Sequence, residues 1–267
     1  MIPGSEVQPS KIQDSKVQRS ELLGYLNGLL EPECFKDYAP NGLQVEGKPQ
    51  IGCLVTGVTA SLALIERAIA LKADAILVHH GYFWRNEAPE ITGMKYRRIK
   101  ALLDHNVNLF GYHLPLDAHP SLGNNAQLAK RLGIDVTSGL FPHETKPVGN
   151  LGTLSQPCSA QALVQQIEQA LGRSPLCVEG GDHPISKVAW CTGGAQGYIE
   201  QAVAMGADAY ISGEISEQTT HIARESGIHY FAVGHHASER YGAQAVGEHL
   251  AQTFGLSHHF VDIGNPA

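Results

Sequence analysis

Two stretches of this chain read alike, and that likeness limits the folds open to it more than any other feature. LIERAIALKADAILVHH at residues 64–80 lines up without a gap on YIEQAVAMGADAYISGE at residues 198–214. Identities fall at Ile65/Ile199, Glu66/Glu200, Ala68/Ala202, Ala70/Ala204, Ala73/Ala207, Asp74/Asp208 and Ala75/Ala209. Helix and strand periodicity alone can align apolar positions, but it does not align Glu and Asp. The run therefore reads as an internal duplication. Upstream, a Thr56-Gly57 turn matches Thr192-Gly193 after a two-residue shift. Downstream, NLFGYHLPLD matches HYFAVGHHASE with a small gap, which sets His113 opposite His235 and Asp117 opposite Glu239. A chain built this way is expected to form two similar lobes.

Each copy alternates short apolar runs with amphipathic stretches of about a dozen residues, the pattern of parallel α/β units. IGCLVTGV, AILVHH and NLFGYH read as strands; SLALIERAIALK, KYRRIKALLDHN and a segment near NNAQLAKRLG read as helices. Before them, Ser20 is a suitable N-cap for ELLGYLNGLL, which Pro32 ends, and DYAPNGLQVEG reads as a turn-rich loop. Residues 140–187 read as strand, helix, strand and entry to the second copy. Residues 1–18 are polar, without apolar periodicity, and are expected to be a mobile extension. The fold class is α/β.

Composition narrows the function. With 267 residues, 43% of them hydrophobic, the chain can bury one large core or two smaller ones. A formal charge of −7 gives no footprint for nonspecific nucleic-acid or anionic-membrane binding. No apolar run approaches the roughly 18 residues of a membrane span, and the N-terminus lacks a signal-peptide core, so a cytoplasmic location is expected. Cys34, Cys53, Cys158, Cys177 and Cys191 are odd in number and form no C-x-x-C pair, which speaks against disulfides and thiolate zinc sites. The 14 histidines, against 19 Lys plus Arg, put imidazole chemistry first.

In ILVHHGYFW, His79 and His80 stand side by side at the end of a strand, where pleating sends neighbouring side chains to opposite faces. His113 precedes Asp117 by four residues, and His235 precedes Glu239 by four. In HHASER that spacing fits one helix face. In GYHLPLD, Pro115 intervenes, so Asp117 is expected on a loop. Taken singly, each is an ordinary core histidine or solvated surface pair. Together, at strand ends of aligned repeats, they form an imidazole–carboxylate set suited to zinc, iron, manganese or nickel. Two diverging histidines are awkward for one ion and natural for two ions bridged by a carboxylate.

The stretches DYAPNGLQVEG, ILVHHGYFW, GYHLPLDAHPSLGNN, CTGGAQGYI, YISGEISEQTTH and GHHASERYG, collinear from about residue 20 to 260, together resemble the YbgI-like family of dinuclear-metal proteins, the type 2 homologues of GTP cyclohydrolase I. The resemblance implies metal ligands His79, His80, Asp117, His235 and Glu239. In it, His80 and Asp117 hold one divalent ion, His79 and His235 the other, and Glu239 bridges. It also implies two α/β lobes with the site between them: residues 19–118 plus a C-terminal segment, 235–267, packed back on the first, and residues 119–234 as the second. The implied assembly is a toroidal homohexamer with metal sites facing its cavity. The implied activity is hydrolysis of a nucleotide-like substrate, opening the purine ring of GTP with metal-activated hydroxide. His113 and Glu214 are then candidates for proton transfer beside Glu239, Glu214 standing where His80 stands in the first copy. A noncatalytic ring-shaped metal scaffold, or one binding protein or nucleic acid, is the alternative, and the net charge disfavours nucleic acid. Weaker candidates are a phosphate cradle in TGGAQG (residues 192–197) and base stacking by Tyr82, Phe83 or Trp84. His236 is expected to point away from His235 and serve packing.

Overall fold

A computed structural model describes residues 15–267. The chain runs β1 (Val17–Gln18), α1 (Arg19–Leu30), β2 (Gly42–Val45), β3 (Gln50–Ile51), β4 (Cys53–Thr59), α2 (Leu62–Ala70), β5 (Ala75–His80), α3 (Gly93–Asp104), β6 (Asn108–Gly111), α4 (Leu114–Ala118) and α5 (Asn124–Arg131). It continues with β7 (Ile134–Gly139), β8 (Asn150–Cys158), α6 (Ala160–Leu171), β9 (Leu176–Val178), β10 (Ile185–Cys191), α7 (Ile199–Ala204), β11 (Ala209–Ser212), α8 (Glu217–Ser226), β12 (His229–Ala232), α9 (His235–Ser238), α10 (Arg240–Phe254) and β13 (Ser257–Phe260). The α/β class expected from the alternation is what the chain adopts.

Among the described residues, one sheet has the order β13-β4-β5-β6-β2 and a second β7-β8-β10-β11-β12-β9, with a small β1-β3 ribbon beside them. The strands β4, β5 and β6 are mutually parallel, as are β10, β11 and β12. Each trio carries an antiparallel strand beyond its third member, β2 on β6 and β9 on β12. The other flanks differ: β13 joins β4 in parallel, while β8 joins β10 antiparallel and continues to β7.

The apolar runs are continuous because both faces of each sheet are covered. In the first sheet, Leu54, Leu77 and Phe110 face α1 and α10 through Leu22, Leu26, Val246 and Leu250. Their neighbours Val55, Ile76 and Leu109 face α2 and α3 through Leu64, Ile65, Ile99 and Leu102. The second sheet repeats the scheme. Val188, Trp190, Ile211 and Phe231 pack on α5 and α6, and Ala189, Tyr210 and Tyr230 pack on α7 and α8. The helix α10, entered directly after the second sheet's last parallel strand and α9, lies on the first sheet.

The aligned aspartates do the same work in both sheets. Asp74 Oδ2 accepts the N–H groups of Gly52 (2.9 Å) and Cys53 (3.0 Å), and Asp208 Oδ2 accepts those of Ser186 (2.9 Å) and Lys187 (2.7 Å). Each thus satisfies the entry of the preceding strand. The buried side of Asp74 raises its carboxyl pKa, but Lys48 Nζ, 2.7 Å away, and the two N–H groups outweigh this and hold it below 3.8. Because the folded value lies below the unfolded one, its stabilisation is complete above about pH 4 and is lost as pH falls through the folded value. Asp74→Asn is expected to cost about 1–2 kcal/mol at pH 7. In urea unfolding that gap narrows below about pH 4; a gap unchanged at pH 3 contradicts the assignment.

Several local expectations are revised. Residues 1–14 of the expected extension lie outside the described residues, but Val17 and Gln18 pair with Ile51 and Gln50, and Val17 is buried. The apolar Val17 covers the first core, which a purely polar reading of that segment missed. Gln18, not Ser20, occupies the cap of α1. Gly42–Val45 is a strand, not part of a loop. The Thr56-Gly57 pair lies within β4 and forms no turn; its glycine lets the Leu64 side chain of α2 approach the sheet. No helix of the described residues is long and apolar enough to cross a membrane.

Candidate metal centre

The strands β5 and β6 and the loops after β10 and β12 end at one place, the carboxyl edge where open α/β sheets bind ligands. His79 and His80 finish β5. Their rings do not diverge: the centroids lie 4.4 Å apart at 43°. Both belong to β5, where His80 still pairs with Thr59, and each turns its Nε2 toward Glu239. Asp117 comes from α4 and not from a loop, because Pro115 occupies the first turn, where a missing N–H costs nothing. His235 opens α9, and Glu239 sits at the break between α9 and α10, with φ −110° and ψ 8°.

Glu239 is the hub. Its Oε1 lies 3.4 Å from His79 Nε2, while its Oε2 lies 3.3 Å from His80 Nε2 and 3.1 Å from His235 Nε2. His79 Nε2 is also 3.5 Å from Asp117 Oδ1. Three groups of donors come close enough to hold an ion, His79/Asp117/Glu239, His80/His235/Glu239 and His79/His80/His113, and the first two share Glu239. The five residues that the resemblance implies lie together, grouped differently from the pairing it implies: Asp117 stands with His79, and His80 with His235.

Other contacts fix each donor from behind, as tuned metal ligands require. His79 Nδ1–H donates to the Tyr112 carbonyl (3.1 Å), His80 Nδ1 lies 3.2 Å from Thr59 Oγ1, and His235 Nδ1 lies 2.7 Å from Glu214 Oε1. Asp117 Oδ1 accepts from Asn124 Nδ2 (2.8 Å) and Thr192 Oγ1 (3.2 Å). Gly193, at φ +70°, leaves the space Glu239 uses, since a Cβ there would run into Oε1.

The carboxylates and imidazoles of the cluster shift one another strongly. Burial raises the Glu239 carboxyl, but His79, His80 and His235 outweigh it and hold the pKa well below the usual range. Burial pushes Asp117 up. Burial would depress His79, yet Asp117 and Glu239 lift it to about 9. His235 rises to about 9 through its hydrogen bond with Glu239, against burial. His80 falls to about 3 through burial and the charge on His79. The fit to metal rests on the donor geometry: His79 Nε2 and Glu239 Oε2 are buried without a hydrogen-bond partner, the first beside Asp117 and Glu239 Oε1, the second beside His80 and His235. Buried polar atoms left this way are costly unless a partner meets them, and a cation is one such partner.

A cavity of about 670 Å³ opens onto the cluster, walled by Tyr38, Trp84, His113 and Tyr198. Of the three aromatics after the histidines, only Trp84 lines it; Tyr82 is buried with its hydroxyl on the Ala60 carbonyl, and Phe83 turns toward Lys95. In the Gly-rich loop, the N–H groups of Thr192 and Gly193 are already given to Asn125 Oδ1 and Ser238 Oγ, so these two cannot cradle a phosphate. His236 bonds Asp262 Oδ1 (2.8 Å), a packing role. Asp37, which the sequence did not single out, binds His113 Nδ1 at 2.6 Å.

Fold and donor set define an α/β protein with an imidazole–carboxylate cluster fit for metal at the strand ends of paired sheets. The chain belongs to the Duf34/NIF3 (NGG1p interacting factor 3) family, whose profile matches residues 17–266. It is 57% identical over 248 residues to a Vibrio cholerae protein named GTP cyclohydrolase 1 type 2 homolog, covering 92% of this chain and 98% of the relative. A Pseudomonas aeruginosa protein of the same name is 52% identical over 248 residues, covering 93% and 98%. Among solved structures, protein ybgI, titled as of unknown function, superimposes with a TM-score of 0.90 at 50% identity, covering 94% of this chain and 100% of that one. A protein from Thermus thermophilus matches at 0.85 and 32%, covering 94% and 100%.

Proposed function

We propose that the protein is a metal-dependent hydrolase with a dinuclear centre, acting on a nucleotide-like substrate. One observation carries the reading: Glu239 offers Oε1 to the His79/Asp117 side and Oε2 to the His80/His235 side, as a carboxylate shared by two ions would. One divalent ion would be held by His79, Asp117 and Glu239, and a second by His80, His235 and Glu239. When bound, such a pair lowers the pKa of water and neutralises anionic substrate oxygens. The chain supplies the rest. Thr59, Tyr112, Asn124 and Glu214 orient the donors, and Trp84, Tyr38 and Tyr198 present aromatic surface to a planar ring in the cavity. The shared name of the relatives points to GTP as the first substrate to try, opened at its purine ring. Zinc, iron, manganese and nickel all suit the donor set.

The two parallel trios, with their matching aspartates, support descent of the halves from one duplicated unit. The assembly we favour is a cytoplasmic homohexamer with the clusters facing its cavity, as the resemblance implies. The test is elemental analysis of the purified protein together with turnover of GTP and p-nitrophenyl phosphate after loading with zinc, manganese, iron or nickel. Two ions per chain and turnover of either compound are expected. Metal retention without any turnover would favour the noncatalytic scaffold instead.

A further inference from the structure

Asp37 lies in the segment between α1 and β2, far in sequence from every donor of the cluster, yet it is built into the cavity wall. Its side chain is 4% exposed and its oxygens are fully engaged. Oδ1 accepts from His113 Nδ1 (2.6 Å) and from the Tyr38 N–H (2.6 Å). Oδ2 accepts from Asn41 Nδ2 (2.9 Å) and from the Leu114 N–H (2.9 Å). Asn41 Oδ1 in turn accepts the His113 N–H at 2.7 Å, so both backbone and ring of His113 are clamped by the same short segment. Burial raises the Asp37 carboxyl, but His113, Asn41 and Leu114 outweigh it and bring the pKa to about 2. Asp37 is thus a fixed anion behind the imidazole.

His113 faces the cavity between Trp84 (ring centroids 4.9 Å apart, edge-on) and Tyr38 (6.2 Å). A ring nitrogen comes within 4.8 Å of those of His79 and His80. It differs from the cluster histidines in one respect. Each of them has Nε2 within 4.0 Å of Glu239, whereas the one carboxylate within that distance of His113, among the described residues, is Asp37. His113 therefore borders the cluster beside His79 and His80, without a contact to Glu239, and one of its ring nitrogens is held from behind by Asp37. With Nδ1–H committed to Asp37, Nε2 is the atom left to the cavity, as a base.

Resting on the hydrolase reading above, we propose that Asp37 and His113 form a carboxylate–imidazole pair that moves the proton of the hydrolytic step. His113 is the group that touches the reacting water, and Asp37 is the residue that positions it. In the step, water loses a proton to His113 Nε2 while its oxygen bonds to the electrophilic atom of the substrate. The bond to the leaving atom then breaks with its electron pair on that atom, which takes the proton from Nε2. The pair ends as it began, and no further reactant is needed. Asp37 keeps Nδ1 protonated and stabilises the imidazolium in between, the role of the carboxylate in hydrolase triads.

The test uses full-length protein and two variants, Asp37→Asn and His113→Gln. Both are expected to lower kcat on GTP or p-nitrophenyl phosphate by about 100-fold or more, with KM within about threefold. In the cobalt-loaded proteins the visible d–d bands are expected to match the wild type in both variants, because His113 is not a ligand. In zinc-loaded protein labelled with ¹⁵N-histidine, the His113 signal, assigned by its loss in His113→Gln, is expected to report Nδ1–H. Asp37→Asn weakens that tautomer. Altered cobalt bands in His113→Gln, or an Nε2–H tautomer in wild type, overturns the proposal whatever the activity. An active wild type whose kcat survives Asp37→Asn overturns it as well. A wild type silent toward every compound instead sinks the hydrolase reading, and the pair's role with it.

Discussion

Glu239→Gln is expected to strip the protein of metal and bring any turnover to background. The carboxylate belongs to both the His79/Asp117 and the His80/His235 groups, with Oε1 3.4 Å from His79 Nε2 and Oε2 3.3 Å and 3.1 Å from the Nε2 atoms of His80 and His235. An amide keeps the shape but carries no charge, and its NH₂ points donors at imidazole nitrogens that must also face a cation. Losing a group that merely orients a ligand costs metal affinity 10- to 100-fold, so loss of the shared ligand is expected to cost at least about 100-fold at both positions. Elemental analysis after dialysis against a weak chelator reads this directly. Retention of two ions by the variant would show that Glu239 bridges nothing.

Trp190→Ala is expected to be the most destabilising single change in the second sheet. Trp190 is fully buried on β10 against α5 and α6, and its Nε1–H donates to the Asn125 carbonyl at 3.0 Å. Truncating a buried Trp costs about 3–5 kcal/mol through lost contacts and the cavity left behind, and an acceptor is stranded too. For a chain of this size that corresponds to a melting point lower by roughly 10 °C. Trp190→Phe, which keeps most of the volume, is expected to lose about half as much or less. The effect reaches the site, since Asn125 Nδ2 donates to the Asp117 carbonyl (3.2 Å) and Asn125 Oδ1 takes the Thr192 N–H (3.0 Å). Weaker metal binding is therefore expected alongside the lower midpoint in urea. A loss under about 1 kcal/mol would mean that the core repacks around the gap.

The α/β alternation was legible because strands covered on both faces give unbroken apolar runs such as AILV, and the helices between them keep a 3.6-residue period. An imidazole–carboxylate set was legible in the strand-end histidines and the spaced His…Asp and His…Glu pairs, but it was the resemblance, not the spacing, that singled out His79, His80, Asp117, His235 and Glu239 and left out His113. The grouping of the five was not legible, because which Nε2 meets which oxygen depends on ring rotations and on the break at Glu239, and neither follows from spacing. Asp37 was missed for a related reason. An aspartate followed by Tyr, Ala, Pro and Asn looks like turn chemistry, and its partner His113 is brought to it only by tertiary folding. The edge strand β7, with four of its six residues exposed, carries too weak an apolar pattern to announce itself. Val17 and Gln18 form too short a strand to show any period.

The passage of the chain from one sheet to the other through α9 and α10 sets an order on folding. His79 and Glu239 stand about 160 residues apart, and β13, which closes the first sheet against β4, follows still later in the chain. Each parallel trio can assemble from neighbouring segments, but the cluster needs both sheets and the crossing between them. Contacts of such long sequence separation close late, after the loop entropy between them has been met by other packing. The donor set is thus the final joint of the molecule, absent from any partly folded form in which the sheets have not yet docked. During synthesis the donor set stays incomplete until Glu239, 160 residues after His79, has been made.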